Sequence, residues 1–459
     1  MLLLFLSVFI MEDSIMPSAR ISALGSDFAL LVEDPLTDIQ FDPARVGNID
    51  GLSIYCKPQL GPNAVTCAIL SPQIFRNVGI GLWSRYAYHS YTTALMEGTS
   101  IHDQSYPAAN FFLVFPFLKD GSFFGLKFTI KQPQTEYSYG YYNLISDTNY
   151  FDSDTSMYQY VNDNSYGNDD KTTLWSIRGG QYLNFEKSAV EITASISHSN
   201  AGVTDYDSVS HEYMSTNIDH YDSVRTLYSS QDLYENCVVN IENYDIWSYT
   251  LGMSWIKELP VGRLKLFLKS GLNKGEITGQ EFNIYRNYSE YRCEYMDPDT
   301  SYSYVDTIIN EEKSEENSIS GDINRDNEVI GIGFEKPIDE NINFLIGLRL
   351  RRDHTEITKI ISDTVKTTNT YYKASLPVGA EFFITKKICL RGGVTAYFSA
   401  DYNEESNTNK NEIKNKYLSV TNSFGLGIIP IPRLKINMYV SGFDIAKIDN
   451  WELEAIYNF

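Results

Sequence analysis

The sequence predicts an all-β chain folded as a transmembrane antiparallel β-barrel with an even number of strands, 14–16. Three observations predict it. Apolar and polar residues alternate at period two along many short runs. Tight turns alternate with long connections. The last nine residues form one alternating strand that ends on phenylalanine. Composition agrees: the 459 residues include 34 Tyr and 24 Phe, and beyond the N-terminus no run approaches the ~20 apolar residues of a membrane helix. A net charge of −22 argues against nucleic acid as a partner.

The chain opens with an apolar run, residues 2–10, which has the length of an export-signal core and is too short to cross a bilayer. No basic stretch precedes it, so residues 1–19 read as a truncated export signal. Residues 20–50 form a segment of their own, and residues 51–459 supply the barrel.

Alternation in the barrel is explicit. Phe124, Leu126, Phe128 and Ile130 alternate with Lys127, Thr129 and Lys131. Leu264, Leu266, Leu268 and Leu272 share a face, with Lys265 and Lys269 on the other. Phe344, Ile346, Leu348 and Leu350 alternate with Arg349 and Arg351, and Leu434, Ile436, Met438 and Val440 with Lys435 and Asn437. A soluble sandwich would also alternate; connection lengths separate the two. Tight turns are predicted at Lys119-Asp120-Gly121, Glu186-Lys187, Pro260-Val261-Gly262, Pro337-Ile338-Asp339, Lys386-Lys387 and Pro430-Ile431-Pro432. The intervening connections, residues 133–170, 199–243, 273–326, 353–370 and 401–416, read as long external loops. Outer-membrane barrels have this layout, and soluble domains seldom carry several loops longer than ~15 residues. Starting from strands near residues 52–57 and 64–70, the count is about sixteen. An even count puts both chain ends on the periplasmic side.

In the last strand Trp451, Leu453, Ala455, Tyr457 and Phe459 share a face. The strand resembles the C-terminal signal recognised by barrel-assembly machinery, with Trp451, Tyr457 and Phe459 as its candidate residues. The expected location is the bacterial outer membrane, with its lipid and that machinery as partners.

The charge is unevenly placed. Residues 133–170 hold 7 acids and no base, 199–243 hold 8 acids and 1 base, and 273–326 hold 13 acids and 5 bases. These three segments account for the whole net charge. The strands carry bases on their polar faces instead, among them Lys265, Lys269, Arg349, Arg351, Arg391 and Lys435. Charges pointing into lipid cost a few kcal/mol each at mid-membrane, so these six are expected to face the lumen.

The N-terminal segment reads Ala19-Arg20-Ile21-Ser22-Ala23-Leu24-Gly25, then Glu33-Asp34-Pro35, then Phe41-Asp42-Pro43-Ala44. It resembles the start of outer-membrane barrels of the long-chain fatty-acid transporter type and their secretion-associated, PorV-type relatives. These begin with Ala-Arg-x-x-Ala-Leu-Gly-Gly, an acidic pair and an Asn-Pro-Ala-Gly turn. The resemblance covers ~30 residues and implies a fourteen-stranded barrel whose N-terminal segment plugs the lumen. Ser26, Glu33, Asp42 and Arg45 stand where the pattern has Gly, Asp, Asn and Gly. Residues 21–50 carry six acids against Arg45 alone, so Asp34 and Asp42 are expected to meet basic residues such as Lys265, Lys269, Arg349, Arg351 or Arg391.

No catalytic set is apparent. His89, His102, His198, His211, His220 and His354 fall in predicted loops or at strand ends, without G-x-S-x-G or H-E-x-x-H. Asp322-Ile323-Asn324-Arg325-Asp326-Asn327-Glu328 spaces oxygen ligands as a calcium loop does, but it lacks the turn glycine and includes Arg325, so a solvated acidic loop is expected. Neither cofactor nor metal is predicted. Cys56, Cys67 and Cys389 read as apolar filler in strands, while Cys237 and Cys293 fall in external segments where a bridge is conceivable. Tyr137, Tyr139, Tyr141 and Tyr142 suit a membrane-interface girdle. The expected function is passive transport of a small apolar or amphipathic molecule. The alternative is a non-transport surface or secretion-accessory protein that binds a protein ligand through its loops.

Overall fold

The computed structural model describes residues 18–49, 51–60, 63–75, 78–95, 98–105, 108–117, 121–151, 154–221, 224–296, 301–361, 364–405, 413–441 and 451–459. Residues 1–17, almost all of the expected export signal, lie outside these.

The N-terminal segment folds as two short helices and two 3-10 turns: α1 (Ala19–Leu24), Ser26–Phe28, α2 (Pro35–Phe41) and Pro43–Asn48. Local sequence explains each. Ser18 caps α1, its hydroxyl accepting from Ile21 N. Gly25 ends the helix at φ 114, a conformation that favours glycine. Asp34-Pro35 and Asp42-Pro43 repeat one device: an aspartate accepts a first-turn backbone N–H, that of Thr37 or of Ala44, and the proline behind it has none to leave unpaired.

The rest of the described chain is one antiparallel sheet. Its strands are β1 (Ser53–Leu60), β2 (Asn63–Phe75), β3 (Val78–Leu95), β4 (Gly98–Ser105), β5 (Ala108–Pro116), β6 (Phe123–Lys131), β7 (Gln134–Phe151), β8 (Asp154–Phe185) and β9 (Ser188–Tyr221). They continue with β10 (Val224–Leu259), β11 (Gly262–Met296), β12 (Ser301–Pro337), β13 (Ile342–Ile360), β14 (Thr364–Thr385), β15 (Ile388–Glu405), β16 (Ile413–Ile431), β17 (Leu434–Ser441) and β18 (Trp451–Asn458). From β8 to β18 each strand pairs with the next. β3 pairs with β5 over one half and with β4 over the other; β8 does the same with β6 and β7. Pro133, which has no N–H for a ladder, sits at the break between β6 and β7. β1 pairs with β2 on one side and with β18 on the other, Ser53 opposite Asn458 and Leu60 opposite Trp451.

The turns at Glu186-Lys187, Pro260-Val261 and Lys386-Lys387 lie where the sequence predicts them, and the turn expected at 430–432 falls on Pro432-Arg433. Lys119 and Asp120 are outside the described residues. The long connections correct the sequence reading. Most of residues 133–170, 199–243 and 273–326 are not loops: β8 to β12 run for 32–37 residues each and pair along their described lengths. The described parts of residues 353–370 and 401–416 likewise belong almost wholly to β13 to β16. These stretches are rich in Tyr, Ser, Thr, Val and Ile, which suit strands, but apart from a buried cluster of Ile277, Ile319, Ile323 and Ile357 they are mostly polar on both faces, so little period-two hydropathy marks them. Cross-strand pairs hold them instead. Ser215 and Ser230 share a hydrogen bond of 2.7 Å, Gln231 donates to Glu212, and Arg286 reaches Glu235 at 3.2 Å and Glu312 at 3.1 Å. The stretch expected to be a solvated acidic loop, Asp322 to Glu328, is likewise strand, inside β12. The described histidines sit in strands as well. Cys237 is a free thiol. It faces Ile284 across the β10–β11 ladder, while Cys293 faces Tyr228. Nine residues, about 30 Å of strand, separate the two, which rules out a bridge.

The two faces of the sheet differ sharply. The face over the N-terminal segment, here the covered face, buries Lys57, Lys127, Arg178, Glu191, Lys265, Glu381, Arg391 and Glu454. The opposite, open face shows Ile330, Leu348, Leu376 and Leu418. Polar residues inside and apolar residues outside invert a soluble core.

Candidate functional site between the N-terminal segment and the sheet

Nine described glycines of the covered face shape the seat of the N-terminal segment, among them the following six. A Cβ at Gly393 would strike Leu24 O, and one at Gly333 would strike Leu31 O. One at Gly125 would meet Ala44 N and Pro43 C, one at Gly425 the Ala23 methyl, one at Gly252 the Phe41 ring, and one at Gly180 Asp42 Oδ1. The segment thus lies backbone to backbone on strands drawn from β6 to β16. Ile21, Leu24, Phe28 and Leu31 fill one buried cluster with Leu345; Ile39 and Val46 fill another with Tyr55, Leu70 and Phe112.

Charge fixes the segment at two ends. Arg20 grips Glu381 with two hydrogen bonds of 2.9 Å, gives a third to Glu33 O at 2.7 Å, and lies 3.5 Å from Glu335. Arg391 holds the same Glu381 at 2.9 Å and donates to Asn437, which donates to Glu454. Glu454 in turn accepts from Ala19 N at 2.8 Å. At the other end Arg45 pairs with Glu191 and with Glu33, 2.9 Å away, and its guanidinium lies 4.4 Å over the Tyr182 ring. Glu33 reaches Arg263 at 2.6 Å. The residue that replaces the small turn residue of the resembled pattern is therefore the centre of a buried ion cluster.

The expectation for Asp34 and Asp42 is corrected here. Both are spent as helix caps, Asp34 accepting from Thr37 N at 3.0 Å and Asp42 from Ala44 N at 2.9 Å. Asp34 otherwise lies 4.0 Å from Arg20. Asp38, mid-helix between them, divides its carboxylate: Oδ1 reaches Lys265 at 3.1 Å while Oδ2 accepts from Asp34 N at 3.2 Å. The other bases lie on the covered face with separate roles. Lys269 is buried, Arg351 pairs with Asp353, Arg349 follows the same parity, and Lys435 is half-buried beside a cavity. Lys127 and Arg178 both donate to Gln40 O, at 3.0 and 2.9 Å. Of the C-terminal residues, Tyr457 packs edge-on against Phe459 at 4.6 Å.

Burial governs two acids of the segment, Asp42 and Asp38. Asp42 is fully buried, and loss of water, with Glu191 nearby, pushes its carboxyl up to about 8. Its Oδ2 has no hydrogen-bond partner among the described residues. Asp38 is raised to about 6 by the same burial, which Lys265 and Arg45 oppose.

A cavity of about 410 Å³ opens beside Arg20 and Asp34, against the turn at Lys386-Lys387. Charged Glu335, Glu381, Arg391 and Lys435 line it together with Phe383, Ile388 and Ile429.

The open face carries a sharp boundary. Trp175, His198 and Trp247 stand side by side on β8, β9 and β10, with Trp175 and Trp247 5.7 Å apart and His198 bonded to Asp245 at 2.8 Å. Below them come Ile177, Tyr249 and Leu251. At the same level β12 changes from Ile332 and Ile330 to Glu328 and Asp326, and β13 from Leu348 and Leu350 to Arg352, which pairs with Asp326 at 2.9 Å. About ten residues separate this line from the turns, which at strand tilt makes an apolar band ~25 Å tall.

No family model matches the chain, and no curated protein matches it. Among solved structures it is similar to a Pseudomonas aeruginosa FadL homologue, at 14% identity and TM-score 0.39, over 96% of this chain and 97% of that one. It is also similar to the Pseudomonas putida toluene transporter TodX, at 10% and 0.37, over 96% and 98%. The ferric-catecholate import receptor Fiu of E. coli K12 follows at 10% and 0.30, over 90% and 82%. Likeness of this size leaves function to be argued from the chain's own residues.

Proposed function

We propose that the protein is a bacterial outer-membrane β-barrel that lets a small apolar or amphipathic molecule pass passively, with residues 19–48 as a plug in its lumen. The apolar band of the open face, bounded by Trp175 and Trp247, carries the location: a girdle of aromatics over ~25 Å of apolar wall is what a barrel presents to lipid. Pairing of β1 with both β2 and β18 supports closure. Taking β4 with β5 and β6 with β7 as single interrupted strands supports sixteen strands, where the resemblance implied fourteen. In this reading the covered face is the lumen.

The seat of the segment suits a plug that opens to let solute pass. A transport lumen needs an element that can move, and the segment is held by ion pairs and glycine contacts rather than by strand pairing. The cavity beside Arg20 is of a size that suits a small molecule, and it mixes apolar with charged walls. Planar-bilayer conductance and liposome swelling test the proposal: the intact protein should admit small solutes slowly, and deletion of residues 19–48 should raise conductance several-fold. A sealed lumen in both forms would leave the protein without a transport role.

A second reading has its own observation. From Trp247 to Val224, β10 runs about 75 Å beyond the membrane line, and its neighbours match it. So large a polar sheet suits a protein ligand. A peptide tag inserted beside Glu315 should be detected on intact cells. Shortening β9–β12 above the line should abolish ligand capture by those cells while leaving conductance unchanged.

A further inference from the structure

Cys56 and Cys67 stand directly opposite each other on β1 and β2, with their sulfurs 3.4 Å apart. Both are free thiols, and both point to the open face, in line with Ile54 and Ile69. Directly opposed residues of an antiparallel pair have Cα atoms about 4.5 or 5.5 Å apart, and both values lie within the span a disulfide tolerates. The remaining approach is a side-chain rotation.

Their place in the sheet gives the pair a purpose. β1 and β18 are 8-residue strands, against 35–37 residues in β10 to β12. They meet along a short ladder, where first strand joins last. Among the described residues that seam is one of the shortest ladders, and Cys56 sits within it opposite Ala455. A covalent link from β1 to β2 would keep the first hairpin in register while the last strand docks.

We propose that Cys56 and Cys67 form a cross-strand disulfide that staples the first hairpin at this seam. The oxidant is a protein disulfide of the thiol-exchange class. One cysteine thiolate attacks it and forms a mixed disulfide, releasing one sulfur as a thiolate. The second cysteine thiolate then displaces the oxidant's other sulfur. The Cys56–Cys67 bond forms, the oxidant leaves as a dithiol, and the two protons of the cysteines end on it. The timing rests on the outer-membrane reading: exchange needs water and thiolate, so the bond forms in the periplasm before insertion. Lipid then shields it from reductants.

The experiment uses the full chain expressed in a Gram-negative host. Thiols are blocked with N-ethylmaleimide in denaturant at lysis, and the protein is digested with trypsin without reduction. Lys57 is followed by Pro58, so both cysteines stay in the one peptide 46–76. That peptide should be about 2 Da lighter than its reduced form and carry no maleimide, since the bond removes two hydrogens. After reduction it should take up two. In Cys56→Ser, Cys67 should take up one maleimide without reduction. Two maleimides on the unreduced wild-type peptide would overturn the staple. Membrane fractionation of the same cells keeps the location separate: a bridged peptide in another fraction defeats the location alone, and a fully alkylated peptide in the outer membrane defeats the staple alone.

Discussion

The carboxylate of Asp42 rests on Gly180, at a place on β8 where a methyl group would collide with Asp42 Oδ1 and come within 2.7 Å of Pro43 Cδ. A wall glycine and a segment aspartate are thus fitted to each other, and the fit leaves Asp42 dry. The first two predictions follow from this pair.

Gly180→Val should unseat the segment. Overpacking a filled site costs about 1–3 kcal/mol, and here the backbone around Pro43 has no free side to retreat to. Conductance should rise and protease should cut within residues 19–48. Gly392→Ala is the control, since its new methyl meets only Ser423 O at 3.7 Å, and it should behave as wild type.

Asp42 should make docking of the segment pH-dependent. Its carboxyl is raised to about 8 by burial, above its value in an undocked chain, so the docked form holds the proton more tightly. The stabilisation is complete below about pH 4 and declines as pH rises through about 8. Asp42→Asn keeps the cap oxygen and removes the titration. The pH dependence of single-channel open time should flatten in that variant between pH 6 and 8, above the range in which Asp38 titrates. An unchanged slope would place the titrating group elsewhere.

Glu381 should be the costliest single anchor to lose. It binds Arg20 and Arg391 together, and removing one partner of a buried pair costs on the order of 3 kcal/mol. Glu381→Gln should lower the temperature at which the folded band converts on heated gels. Arg20→Met alone should loosen the segment with a smaller effect on the wall, because Arg391 keeps its partner.

Trp175 and Trp247 should lie at lipid-headgroup depth. In liposomes, brominated lipids labelled near the carbonyl should quench their fluorescence more than lipids labelled at the chain end. Replacing both with Phe should remove the shallow component. Equal quenching at all depths would contradict the band.

Deleting residues 451–459 should prevent assembly. The deletion removes β18, which pairs with both β17 and β1, and so exposes two strand edges at once. The shortened chain should be protease-sensitive and lack heat-modifiable migration.

The sequence by itself determined the all-β class, most of the turns and the facing of the wall. Period-two alternation fixes which side each residue takes once one face is buried, which is why Lys265, Arg391 and Lys435 could be assigned to a face without coordinates. It did not reveal that the described parts of residues 199–243 and 273–326 are strands, because predominantly polar faces carry little hydropathy signal and only cross-strand partners show the pairing. It marked the acids of the N-terminal segment but not their uses. Asp34 and Asp42 precede prolines and cap helices, a local signal present in the chain and outweighed by the charge argument. Arg20 fell one residue outside the acidic stretch, and nothing nearby pointed to Glu381, 361 residues away. Only the tertiary structure could decide those partners. A salt bridge depends on two side chains meeting in space, and the glycines that let the segment approach the wall are spread from β6 to β16.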